Sequence, residues 1–96
     1  MLTKHIILKY LTDHKEEFYK KYSVKKIGLF GSYARDEADE NSDIDLLVDM
    51  PSSFKNYFEL KYLLEQEFGK SVDLGEQDSL RLFIKKRVEK ELIYAE

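Results

Sequence analysis

"FGSYARDEADENSDIDLLVDM", residues 30–50, places a crowd of carboxylates between two runs that read as buried strand. Upstream, "VKKIGLF" (24–30) has the β-branched and apolar content of a short strand, which Gly31 breaks. Downstream, "IDLLVDM" (44–50) is a second strand, which Pro51 stops. Like charges held this close repel one another, so folding gains nothing from grouping them. The grouping points to a ligand.

Side chains alternate faces along a strand, so Asp43 and Asp45 project from one face about 7 Å apart. Ile44, Leu46, Leu47 and Val48 are apolar enough to bury the strand, which leaves the two acids at its solvent-facing start. Two hard oxygen donors there suit Mg²⁺, which binds through one or two carboxylates and completes its shell with substrate phosphates. Asp73 is the acid inside "SVDLG" (71–75), which reads as a third, short strand. If that strand lies beside the second, Asp73 supplies the third carboxylate of a two-metal arrangement. Gly31 and Ser32 form the other half of the site: glycine lets a phosphate approach the backbone, the following N–H groups open a helix, and the hydroxyl adds a donor. A Gly-Ser pair or a bare D-x-D is by itself commonly a turn. Their conjunction reads as a phosphate cradle facing a metal site.

Working outward, residues 3–22 carry Ile7, Leu11, Phe18 and Tyr22 as the buried stripe of one helix, with Thr3 as its cap. "SYARDEA" (32–38) makes one or two helical turns with Ser32 at the N-cap, and "ENSD" (40–43) turns the chain. Residues 54–68 form a second long helix with Phe54, Tyr57, Leu60, Leu64 and Phe68 inward and Gly69 as its stop. A last helix opens with Asp78 or Ser79 as N-cap, lines up Leu80, Ile84, Val88 and Leu92 on one face, and runs into the C-terminal "VEKELIYAE". The expectation is one α/β (α+β) domain over residues 1–96, ordered αβαβαβα, with a small mixed three-stranded sheet packed with helices.

The composition agrees with a small packed globule: 43% of residues are hydrophobic, with seven Tyr and six Phe. Ninety-six residues are too few for two lobes with a cleft between them. No stretch nears the roughly 20 apolar residues of a membrane span, and the N-terminus lacks a secretory pattern, so a cytoplasmic protein without a membrane partner is expected. The absence of cysteine removes disulfides and thiolate metal sites, leaving oxygen or the two histidines as ligands. His5 and His14 have no further His or Cys at ligand spacing and are read as structural. A net charge of -3 argues against direct nucleic-acid binding, and Lys85, Lys86, Arg87 and Lys90 read as a solvated helix face. The tyrosines of so small a domain also point to a partner surface, a homo-oligomer being one form it takes.

"GLFGSYARDEADENSDIDLLV" (28–48) resembles the G-S-x-A-R, spacer, S-D-x-D-L signature of the minimal nucleotidyltransferases, small members of the DNA polymerase beta nucleotidyltransferase superfamily. "VDL" (72–74) is similar to that family's third motif, and "VEKELIYAE" to its last helix. The resemblance implies Mg²⁺-dependent nucleotidyl transfer with two ions held by Asp43, Asp45 and Asp73. It implies nucleotide contacts from Gly31, Ser32, Arg35 and Ser42, with ATP as the donor. Arg35 has a surface salt bridge to Asp36, Glu37 or Asp39 as its competing reading. Asp36 stands where the family often has glycine. Such proteins often pair with a HEPN-domain toxin, so the implied role is an antitoxin that places AMP on a tyrosine of that partner. An antitoxin that acts by binding alone, and a transferase for a small molecule such as an aminoglycoside, are the alternatives.

Overall fold

The computed structural model describes residues 2–76 and 82–96. The chain begins with two helices where the sequence predicts one: α1 (Lys4–Asp13) and α2 (Lys15–Tyr22). Thr3 caps α1 as expected, its hydroxyl accepting from the Ile6 N–H at 3.2 Å. The break falls at His14, whose ring Nδ1–H and backbone N–H both donate to the Tyr10 carbonyl, at 2.8 and 3.1 Å. A side chain that competes for a helix carbonyl loosens the turn there, and the His14 ring then stacks on Tyr10 with centroids 4.1 Å apart. The buried stripe runs on across the break, with Ile7, Leu11 and Phe18 fully buried.

Strand β1 (Lys26–Phe30) pairs antiparallel with β2 (Ile44–Asp49), and β2 pairs parallel with β3 (Val72–Glu76). A parallel pair needs a long crossover, here α4 (Phe54–Phe68), capped by Ser53 and ended by Gly69 in the left-handed conformation at φ 66°. Leu60 and Leu64 of α4 are fully buried, while Tyr57 and Phe68 pack at the edge of the core. Phe54 departs from expectation: it is 85% exposed. Apolar positions spaced by three and four drift around a helix, and at 100° per residue Phe54 lies about 120° from Leu60. It falls in with Phe58 and Tyr62, which are also exposed.

The sheet has a fourth strand that the sequence reading lacks. After α5 (Leu82–Glu91), Ile93–Tyr94 form β4 and pair antiparallel with β1, giving the order β3-β2-β1-β4. Gly28 makes room for this turn-back, since a Cβ there would stand 2.8 Å from Leu92 Cδ1. The Ala95 N–H continues the pairing by donating to the Ile27 carbonyl at 2.9 Å. Otherwise the fold class is the one expected, a mixed α/β layer. The proposed caps Asp78 and Ser79, and Leu80, lie outside the described residues, whereas Val88 is buried.

One face of the sheet carries the core: Ile27, Leu29, Ile44, Leu46, Val48, Val72 and Leu74 pack against the apolar faces of α1, α2 and α4. The opposite face carries Phe30, Asp45 and Asp73. Among the described residues no helix is long and apolar enough to cross a membrane.

Candidate active site on the open face of β2 and β3

Strand register builds the site. Asp45 of β2 stands opposite Asp73 of β3 in the parallel ladder and opposite Phe30 of β1 in the antiparallel one. Register partners share a face, so both acids leave the sheet on the side away from the core. Asp43 lies just before β2 and is exposed; the Ile44 N–H donates to the Ser71 carbonyl at 3.0 Å, tying the starts of β2 and β3 together. Asp73 is exposed on the edge strand, and Asp45 is half-buried between its neighbours.

Burial pushes the Asp45 carboxyl up to about 6, assisted by the negative charges of Asp73, Asp43 and then Glu91, with Arg35 opposing. Asp45 thus feels the charges of the other two acids named by the sequence. Among the described residues no three His, Cys, Asp or Glu side chains are gathered closely enough to cage a cation alone. Hard oxygen donors along an open rim still suit Mg²⁺, whose shell phosphates and water usually complete.

Because Phe30 pairs with Asp45, Gly31 is carried directly against the Asp45 side chain. It adopts φ 77°, and a Cβ there would run into the Asp45 carboxylate, with Cγ at 2.8 Å. Glycine is required twice over, by the left-handed backbone and by the close approach. The short helix α3 (Gly31–Ala34) starts at once, with Phe30 in the cap position, so Ser32 sits in its first turn rather than capping it. Tyr33 and Ala34 are buried and anchor this turn.

Arg35 ends α3 and is held by two acids: Nε donates to Glu37 Oε2 at 3.1 Å and Nη1 to Glu91 Oε2 at 2.6 Å. The competing surface pairing is therefore present through Glu37, while Asp36 and Asp39 engage elsewhere. Asp36 has φ 58°, a left-handed conformation that glycine adopts without strain and Asp tolerates. Its carboxylate pairs with Lys4 at 3.0 Å. The Ser42 hydroxyl accepts from the Asp39 N–H at 2.9 Å and helps shape the turn that delivers Asp43.

Two residues at the site escape the sequence reading. Lys70 Nζ donates to the carbonyls of Glu40 and Ser42, at 2.9 and 3.2 Å, and so clamps the turn before Asp43 from the far end of α4. Glu91 reaches back from α5 to accept from the Gly31 N–H at 3.3 Å while holding Arg35. Neither carried a local signal, since Lys70 looks like a solvated charge just past a helix stop and Glu91 like one on an amphipathic helix. A groove of about 380 Å³ between the start of α4 and the end of β3, edged by Phe54 and Phe58, contains none of the three acids. The carboxylates lie on an open rim.

A nucleotidyltransferase domain model matches residues 11–95. The chain is 45% identical over 97 residues to the protein adenylyltransferase MntA of Thermococcus cleftensis, covering 98% of this chain and 97% of that protein. A solved structure assigned as a minimal nucleotidyltransferase superposes with a TM-score of 0.79 at 28% identity, covering 96% of this chain and 95% of the other. A chain from the complex of a tri-AMPylated Shewanella oneidensis HEPN toxin with an MNT antitoxin shares the fold, with a TM-score of 0.69 at 20% identity over 98% of this chain and 72% of that one. The chain belongs to the nucleotidyltransferase family, in the minimal branch that includes protein adenylyltransferases.

Proposed function

We propose that this chain transfers AMP from ATP to a tyrosine hydroxyl of a HEPN toxin in the cytoplasm and thereby acts as an antitoxin. The observation that carries this reading is the Asp45–Asp73 register pair, with Gly31 pressed against Asp45. It sets two carboxylates and a tightly approached backbone on one open face, an arrangement that supports metal-assisted phosphate chemistry. The MntA relative is a protein adenylyltransferase, and the structural neighbour is an antitoxin bound to a toxin that carries AMP. Both support a protein as acceptor.

Asp43, Asp45 and Asp73 are assigned to two Mg²⁺ ions. What Mg²⁺ supplies when bound is neutralisation of phosphate charge and a more acidic acceptor hydroxyl. The chain's own groups do the rest. The Gly31 N–H, the Ser32 hydroxyl and Arg35 orient the triphosphate so that its α-phosphate faces the rim. Asp73, exposed on the edge strand, accepts the proton of the incoming hydroxyl. The new O–P bond forms at the α-phosphate as the bond to the β-phosphate oxygen breaks, and pyrophosphate leaves. An edge-strand acid on an open face suits an acceptor presented by another protein, and gives a small molecule little to lean on. The test is incubation with the partner toxin, Mg²⁺ and each nucleoside triphosphate, followed by intact mass measurement of both chains. AMP on the partner, dependent on Asp43, supports the reading; an unmodified partner with every nucleotide refutes it.

A further inference from the structure

We propose that Glu91 is an internal anion seated on the phosphate cradle, and that it sets nucleotide affinity because a triphosphate must displace it. The inference rests on the assignment of Gly31 and Arg35 as phosphate donors. One carboxylate holds both: Oε1 accepts from the Gly31 N–H at 3.3 Å and Oε2 from Arg35 Nη1 at 2.6 Å. A backbone N–H and a guanidinium converging on one set of oxygens is the arrangement used to recognise a phosphate. Here a side chain of the same protein fills it.

The position of Glu91 makes the contact deliberate. It is the last residue of α5, and β4 follows within two residues, fastened to β1 at Gly28 and Leu29. The Glu91 side chain is only 19% exposed, against 40% for Arg35, so the carboxylate is held inward over the cradle. Sixty residues of sequence separate it from Gly31. The left-handed turn and the Asp45 contact fix the glycine's place, so what Glu91 supplies is a partner for its buried N–H, a service another oxygen can perform. Any anion that uses the Gly31 N–H and Arg35 must first break the two hydrogen bonds and then overcome repulsion from a carboxylate that stays nearby. Ligands with several phosphate charges, neutralised in part by cations, do this best. Glu91 therefore selects for polyphosphates.

Glu91→Gln keeps the shape and the acceptor oxygen for Gly31 but removes the charge that competes for Arg35. It is expected to tighten the binding of Mg·ATP and of pyrophosphate by about tenfold, with an unchanged melting temperature. Glu91→Asp keeps the charge but withdraws it, and should fall between the two. Glu89→Gln, on the exposed side of the same helix, makes an identical change in net charge and should leave both affinities alone. Titration calorimetry reads all of these. Equal tightening by Glu89→Gln means long-range charge alone, and overturns the proposal. Weaker binding in Glu91→Gln also overturns it, because Glu91 would then be holding Arg35 ready for the phosphates. Pyrophosphate keeps this inference apart from the functional reading: tighter pyrophosphate in Glu91→Gln without ATP binding to any variant supports the cradle and sinks adenylyl transfer. ATP binding by the native chain, with no change in either variant, does the reverse.

Discussion

Gly31 and Asp45 touch across the junction of β1 and α3, so that a methyl group at position 31 would occupy space already held by the Asp45 carboxylate. Read from the sequence, Gly31 only makes room for a phosphate; in the fold it also makes room for a candidate metal ligand. Gly31→Ala should cost about 1–2 kcal/mol for the left-handed backbone and a further 1–3 kcal/mol for the clash. The variant should melt earlier as well as lose transfer. Combining it with Asp45→Ala should return part of the lost stability, and a double-mutant cycle by chemical denaturation reads that coupling. Strict additivity would mean that the two side chains do not compete for space.

The raised Asp45 carboxyl gives stability a defined pH dependence. A group whose folded pKa is about 6 rather than the usual 3.8 binds its proton more tightly in the folded state, so it favours folding at low pH and loses that contribution as pH rises from about 4 to about 6. The carboxyl is only part-buried, and after discounting for solvent screening the effect is about 1 kcal/mol. In EDTA, Asp45→Asn should therefore gain stability over the native chain at pH 7.5 and not at pH 4. Urea denaturation at the two pH values checks the sign. A gain that is the same at both would remove the part-buried charge of Asp45 as its cause.

Asp73→Asn and Asp43→Asn change exposed positions and should leave the unfolding free energy within about 0.5 kcal/mol of the native chain. Transfer to the partner should fall by on the order of 10² to 10⁴, the effect of losing a ligand that positions charge in the transition state. Co-purification with the partner should survive. Cells protected by either variant, with the partner unmodified even by the native chain, would establish neutralisation by binding alone.

Lys70 should matter to catalysis without touching the nucleotide. Its ammonium pins the carbonyls of Glu40 and Ser42, and so fixes the turn from which Asp43 projects. Lys70→Ala should lower kcat by about tenfold through misplacement of Asp43, with a smaller change in KM. Lys70→Arg, which keeps donors at that distance, should recover most of the rate. No loss in either variant would mean that the turn is held by its own Asp39 and Ser42 bonds, and an equal loss in both would mean that Lys70 acts other than by clamping it.

Much of this protein was legible in the sequence because it depends on neighbours a few residues apart. The 54–68 helix with its Gly69 stop, the apolar strand that starts at Ile44, and the Gly31-Ser32 and Asp43-x-Asp45 pairs are set by periodicity and turn chemistry. The placement of Asp73 on the same rim was also within reach, since a short apolar strand after a crossover helix has one natural neighbour. Tertiary structure decided the rest. The break at His14 depends on its ring reaching the Tyr10 carbonyl, and β4 on a strip of β1 backbone that Gly28 leaves accessible. Whether Phe54 faces in or out is settled by the drift of the helix across its partner sheet. Glu91 reaches Gly31 only because α5 and β4 fold back over β1, and no local pattern marks one glutamate among its neighbours as the one that returns. Local free energies choose the elements; contacts between residues far apart in the chain choose which charges meet.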